Sequence, residues 1–299
     1  MSTPDPRLAP IDKRRARASF ARAAPGYDAA AVLQREIADR LLERLDYIRL
    51  QPRRILDLGA GTGYCTAALQ QRYKRAEVVA LDFAQPMLQQ TRRRGRWWRR
   101  PLCVCADAES LPLADDSFDL ILSSSTIQWC NDLEHTFGEC LRILRPGGLL
   151  QFTTFGPDTL RELRAAWAEV DGHAHVSPFT DMHEIGDALV RARLADPVMD
   201  AERLTLTYPT TTELMHDLKA IGARNASRDR PRGLTGRARL AALAAAYERE
   251  RRDDGRLPAT YEVLYGHAWA PEQTQQSSTA DGAVAVPLEQ LRRQLGGRD

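Results

Sequence analysis

The chain has 299 residues, 43% hydrophobic and 27% charged, with 42 Lys and Arg against 40 Asp and Glu for a formal charge of +2. A chain of this length, one large decorated domain or two small ones, buries enough surface to fold without disulfide or metal staples. The near-neutral balance excludes a uniformly basic nucleic-acid coat and an acidic solvating tail. Only Lys13, Lys74 and Lys219 are lysines, so 39 of the 42 basic residues are Arg. That excess reads first as compositional bias and second as clusters that face an anionic partner.

Residues 1–11 carry three prolines without periodicity and are expected to be disordered. The N-terminus lacks the apolar core of a signal peptide, and no apolar run approaches the roughly 18 residues of a membrane span. A cytoplasmic protein without membrane or nucleic-acid partners is expected. A basic, helix-compatible stretch from Asp12 to Phe20 is broken at Pro25-Gly26. Asp28 is then placed to cap a helix in which Leu33, Ile37, Leu41 and Leu45 recur every four residues. Residues 12–50 form an N-terminal helical cap.

Residues 51–155 alternate strand and helix. Strands are predicted at Ile55–Leu58, Val78–Leu81, Leu102–Cys105, Phe118–Ser123 and Leu149–Thr154. Helices are predicted over Thr62–Tyr73, from Pro86, and over Leu133–Leu144. The pattern predicts an α/β fold with a parallel sheet covered on both faces. Residues 156–270 supply helices at Thr159–Val170, His183–Arg193 and Thr212–Ile221, and strands at Arg203–Tyr208 and Tyr261–Trp269. An Arg- and Gly-rich insertion, 222–258, contains an Ala-rich helix from Ala238 to Arg252. The tail, 271–299, is expected to be disordered. The five cysteines, Cys65, Cys103, Cys105, Cys130 and Cys140, are odd in number and form no CxxC pair. They predict reduced, mostly buried thiols and no metal site.

Between the first strand and its helix lies Gly59-Ala60-Gly61-Thr62-Gly63, a turn where glycines allow positive φ and close approach of a ligand. Asp82, ending the next strand, is placed to accept hydrogen bonds from two ribose hydroxyls. NAD enzymes share that pairing, so these residues alone leave the cofactor open. Three strings narrow it: ILDLGAGTG at 55–63, CADAESLPLADDSFDLIL at 105–122 and LRILRPGGLL at 141–150. In order and spacing they resemble the motifs of class I S-adenosylmethionine-dependent methyltransferases. The resemblance implies a seven-stranded Rossmann-like sheet, S-adenosylmethionine as cofactor, and Asp107-Ala108 against its adenine. Phe83 and Met87 would wall the adenine. Asp57 would meet the ammonium of the methionine tail, directly or through water. The backbone at Gly59, Ala60 and Gly61, with Ser124, would complete the cofactor site.

The flanking segments carry a narrower resemblance. They are ASFARAAPGYDAAAVLQREIADRLL (18–42), SSSTIQWCNDL (123–133), FGPDTLRELRAAW (155–167), SPFTDMHEIGDAL (177–189), LKAIGARNAS (218–227), PRGLTGRARL (231–240) and LPATYEVLYGHAWAP (257–271). Over residues 12–271 they resemble the malonyl-acyl-carrier-protein O-methyltransferase family of biotin synthesis. That resemblance implies methylation of the free carboxylate of a malonyl thioester, preferably on acyl carrier protein, giving the methyl ester that starts pimeloyl synthesis. By the same resemblance Tyr27 closes over the cofactor and Phe179 helps to cover it. Gln128 and Trp129 would line the acceptor side, where Phe179, Lys219 and Arg232 also belong, with Arg224 a further candidate. Tyr27, Trp129 and Phe179 have a plainer reading as packing aromatics, and the cations as solvated surface.

No catalytic base is nominated, because a malonyl carboxylate, with a pKa near or below ~4, is already ionised at neutral pH. An acidic carrier protein would dock on arginines: either Arg92, Arg93, Arg94, Arg96, Arg99 and Arg100 around Trp97-Trp98, or Arg224, Arg228, Arg230, Arg232, Arg237 and Arg239. The second set borders the expected acceptor cleft and is preferred. Residues 155–221 and 257–269 also resemble a methyltransferase-like assembly factor credited with arginine hydroxylation. The QWC and PRGLTGRARL segments favour the carboxyl methyltransferase. A generic small-molecule methyltransferase and a non-catalytic cofactor-binding scaffold are further alternatives.

Overall fold

The computed structural model describes residues 10–95, 99–228, 230, 233, 235–272, 277–278 and 284–285. Arg96, Trp97, Trp98 and Arg232, most of the 271–299 tail and residues 1–9 lie outside them. Asp12 caps α1 (Lys13–Ala23), its side chain accepting from the Arg15 amide. After the break at Pro25-Gly26 come the single turn α2 (Tyr27–Ala30) and then α3 (Val32–Arg44), which buries Leu33, Ile37, Ala38 and Leu41. Asp28 does not cap α3. It lies inside α2, and the helix restarts only after Ala31, whose backbone leaves the helical region. The Asp28 carboxylate instead accepts from Thr62 Oγ1 at 2.5 Å and pairs with Arg94, tying the cap to the glycine turn.

The core follows as β1 (Arg54–Leu58), α4 (Tyr64–Arg72), β2 (Glu77–Asp82), α5 (Gln85–Arg94), β3 (Leu102–Cys105), β4 (Phe118–Ser123), α6 (Leu133–Ile143) and β5 (Leu144–Phe155). Then come α7 (Arg161–Val170), α8 (Met182–Arg191), β6 (Ala195–Tyr208), α9 (Thr211–Ala220), α10 (Arg237–Tyr247) and β7 (Leu257–Trp269). The strands form one sheet of seven in the order β3-β2-β1-β4-β5-β7-β6. The first five are parallel, and β7 inserts antiparallel between β5 and β6. Strand β5 begins five residues before its predicted start: Gly147 at φ +74° and close-packed Gly148 let the chain turn at the Arg145-Pro146 corner while still pairing beside β4.

Apolar side chains cover both faces of the sheet. One layer packs Ile55, Leu120 and Leu149 under α3, α4, α7 and α10; the other packs Leu56, Ile121 and Leu150 under α6 and α8. Cys65 and Cys140 are buried, but Cys105 is exposed because β3 is the sheet's edge strand. No helix among the described residues is long and apolar enough to cross a membrane. Chain order reverses between β1 and β4, which opens a crevice at the carboxyl ends of the strands. Loops from β1, β2, β3 and β4 all end there.

Candidate active site

The crevice holds a small cavity of about 70 Å3, lined by Gly59, Gly61, Asp82, Phe83, Met87, Asp107, Ala108 and Ser124, with Tyr27 and Trp129 at its side. Gly59, Gly61 and Gly63 have φ of +79°, +54° and +84°, and a Cβ at Gly59 would strike the Thr126 side chain. Glycine is therefore required by conformation and by space. The loop does not offer its amides as expected. Those of Gly59 and Ala60 both donate to the Leu81 carbonyl, and that of Gly61 to Asp82 Oδ2 at 2.9 Å. Its contribution is close approach, and Ala60 stands behind the lining.

Asp82 is 7% exposed and also accepts from the Ala84 amide at 2.7 Å, so its carboxylate spans from the glycine turn to the start of α5. Burial pushes it up to about 6 against the pull of those two amides. Each oxygen keeps a lone pair for a ligand hydroxyl. Asp57 is buried beneath the loop and is not on the cavity wall; its carboxylate accepts from Thr66 Oγ1. Burial pushes it up to about 7 despite that bond, and the Asp82 charge adds to the push.

Asp107 lines the same cavity. Its Oδ1 accepts from Lys13 Nζ at 2.6 Å and from the Glu109 amide at 3.1 Å. Lys13 also pairs with Glu109. Burial alone would lower the Lys13 ammonium, but the two carboxylates outweigh it and raise it. The α1 helix further lays Phe20 over the cavity, 5.9 Å from the Phe83 ring and edge-on to Trp129 at 5.1 Å. Neither Lys13 nor Phe20 was among the sequence candidates, although Phe20 lies in a segment that carried the resemblance. A buried ribose-ready carboxylate, apolar walls with a polar edge at Asp107, and a glycine turn fit S-adenosylmethionine.

A second chamber of about 380 Å3 adjoins the first, and Phe20, Tyr27, Ser125 and Trp129 line both. Burial, then the Asp82 charge, raises the Tyr27 phenol far above its ordinary value, so it is neutral at this junction. Gln128 faces the second chamber with both ends of its amide engaged: Nε2 donates to the Ser125 carbonyl at 2.7 Å, and Oε1 accepts from Thr154 at 3.3 Å. Phe179 belongs to this chamber alone, edge-on to Phe155, and does not cover the cofactor cavity. Lys219 and Arg224 line it too, joined by Arg15 and Arg230. Among the described lining residues there is no carboxylate. His175 stacks on Trp167 at 3.6 Å with its Nε2 on Asp171 at 2.8 Å.

Ser125 is the residue that motif reasoning missed most clearly. It holds φ +53°, and its Oγ is buried with no hydrogen-bond partner. Strain and an unpaired hydroxyl at a junction of two cavities make Ser125 a candidate for ligand contact.

The chain matches the family model described as methyltransferase domain over residues 56–152. It is 53% identical over 284 residues to the malonyl-acyl-carrier-protein O-methyltransferase of Halorhodospira halophila, covering 95% of this chain and 96% of that protein. It is 54% identical over 267 residues to the enzyme of the same name from Gallionella capsiferriformans, covering 87% and 92%. The chain belongs to the malonyl-acyl-carrier-protein O-methyltransferase family. Membership makes S-adenosylmethionine the cofactor and agrees with both the class I methyltransferase resemblance and the narrower one to the malonyl-acyl-carrier-protein O-methyltransferases. The YcgJ protein of Bacillus subtilis shares the fold, with TM-score 0.57 at 15% identity over 78% of this chain and 99% of that one.

Proposed function

We propose that the chain methylates the free carboxylate of a malonyl thioester, carried by preference on acyl carrier protein. The observation that carries this reading is the second chamber: it joins the cofactor cavity and is walled by four cations, with no carboxylate among its described lining residues. Such a chamber selects an anionic acceptor. When bound, S-adenosylmethionine would supply a methyl group on its sulfonium sulfur, which the carboxylate oxygen would take as the S–C bond breaks and neutral S-adenosylhomocysteine leaves.

The chain's own residues then have three tasks. Asp82 and Asp107 fix the cofactor at ribose and adenine, with Phe83 and Met87 as walls, Asp57 acting from beneath the loop and Ser124 beside the sugar. Phe20, Tyr27 and Trp129 close the junction and exclude water. Two opposite charges vanish as the methyl moves, so a dry site favours the reaction over bulk water. Gln128 and Ser125 flank the acceptor, and the unpaired Ser125 Oγ is the natural donor to the carboxylate oxygen that does not attack. A neutral donor orients it with less loss of nucleophilicity than a cation on the attacking oxygen. Lys219 would contribute charge from the chamber side, and Phe179 its apolar wall. No general base is assigned, because the acceptor is already an anion.

The experiment compares malonyl-, acetyl- and succinyl-acyl-carrier protein with labelled S-adenosylmethionine. Label on the malonyl carrier and none on the acetyl carrier is expected. Equal label on both would contradict a carboxylate acceptor.

A further inference from the structure

Residues 222–228 run alongside α1 and roof the second chamber. Gly222 packs on Phe20 and Ala23, the Ala226 carbonyl accepts from the Asp12 amide, and Ser227 bridges to Ile11. Three guanidiniums gather under this roof. Arg15 Nε donates to the Asn225 carbonyl at 3.3 Å, Arg230 donates to the Ser227 carbonyl at 2.9 Å, and Arg224 projects from between them in sequence. Asp12 Oδ2 lies 3.9 Å from Arg230, and Arg224 makes no side-chain hydrogen bond or ion pair among the described residues. Burial, then Arg230 and Arg224, pull the Arg15 guanidinium below its ordinary value, the mark of like charges held together. Elsewhere arginines of this protein find carboxylates, as Arg40, Arg44, Arg72 and Arg142 do.

These three do not reach the reacting carboxylate. None lines the cofactor cavity, and Arg15 precedes Phe20, a junction residue, by five positions on α1, about 7.5 Å along the axis at 1.5 Å per residue. The same chamber is also walled by Leu163, Trp167, Phe179, Met215 and Leu218. An acceptor spanning this space carries its reactive carboxylate at one end, a flexible arm, and a second anion at the other. Guanidiniums pair with phosphate oxygens bidentately.

We propose that Arg15, Arg224 and Arg230 form a binding site for the phosphate ester of the arm that bears the malonyl thioester. This deepens the proposed function and rests on it, since it needs an acceptor with a phosphopantetheine arm. Carrier protein and coenzyme A share that chemistry.

The test measures kcat/KM for malonyl-pantetheine and for its 4′-phosphate ester. The native protein is expected to prefer the phosphorylated acceptor by about tenfold or more. That ratio falls toward one in Arg224→Gln and in the double variant Arg15→Gln/Arg230→Gln. The ratio does not depend on how much of a variant is folded, so poor folding cannot imitate the result. A ratio near one in the native protein, or a ratio unchanged in the variants, overturns the proposal. A loss in Arg224→Gln as large on malonyl-acyl-carrier protein as on the phosphorylated pantetheine assigns the site to the carrier arm; a larger loss on malonyl-coenzyme A assigns it to the nucleotide carrier. If no malonyl acceptor is methylated, the proposed function fails, but calorimetry with 4′-phosphopantetheine on protein holding S-adenosylhomocysteine still decides this site. Binding lost in Arg224→Gln supports it, and no binding to the native protein overturns it.

Discussion

Lys13 Nζ sits 2.6 Å from Asp107 Oδ1 and also pairs with Glu109, so the first turn of α1 grips the Asp107 loop at the cofactor cavity. The same stretch of chain holds Asn131 through the Ile11 amide at 2.7 Å and bridges to Ser227 in the chamber roof. One short segment therefore joins the cofactor loop to the acceptor side. Replacing Lys13 with Met removes a charge-assisted contact and frees Asp107. S-adenosylhomocysteine affinity should weaken by about tenfold, read by calorimetry. A variant with native affinity would reduce Lys13 to surface decoration.

The buried carboxyls give the cofactor site a pH dependence. Asp57 is pushed up to about 7 and Asp82 up to about 6, both from an ordinary 3.8, so the folded protein holds protons the unfolded chain has released. Stability from these groups is full below about 4 and is lost as pH rises through about 6 to 7. The cationic cofactor favours the ionised pair, so its binding releases protons in that window. S-adenosylmethionine affinity should fall by about tenfold as pH drops from about 7.5 to about 5.5, and Asp82→Asn should flatten the profile. A native profile that is already flat would contradict this.

Ser125→Ala separates binding from folding. The hydroxyl is buried and unpaired, so deleting it leaves the thermal midpoint unchanged or higher. Its loss should nonetheless raise KM for the malonyl acceptor by roughly 3- to 10-fold, the worth of one neutral hydrogen bond, with S-adenosylhomocysteine affinity unchanged. An unaltered KM removes Ser125 from the acceptor site.

Glu162 tests the scaffold away from the chemistry. It is 5% exposed, accepts from the Thr260 amide at 3.1 Å and from the Thr260 hydroxyl, and so ties α7 to β7. Glu162→Ala leaves both donors buried without that partner and should cost about 1–3 kcal/mol in urea unfolding. Cofactor affinity in the folded fraction should be preserved.

The sheet and the cofactor cavity were legible because their signals are local. A strand, a glycine turn and an acid one strand later lie within thirty residues of Arg54, and the periodicity marks each element. Asp28 misled because capping is inferred from neighbours in sequence, whereas its partners Thr62 and Arg94 lie on the core. Phe179 was drawn toward the cofactor, although its contact with Phe155 keeps it on the acceptor side. Asp57 precedes the loop and points beneath it, because alternation along β1 turns its side chain from the ligand. Lys13 and Arg15 were invisible: their partners Asp107 and Asn225 are 94 and 210 residues away. The scarcity of lysine was the one available hint at Lys13.

The central claim is that the methyl goes to the malonyl carboxylate. Malonyl-acyl-carrier protein, methyl-labelled S-adenosylmethionine and the protein are incubated, and the product is treated with mild alkali. Label released as methanol is expected, with one methyl per acyl chain before treatment. Label that stays on the carrier after alkali, or no transfer while cofactor binding is intact, would contradict it.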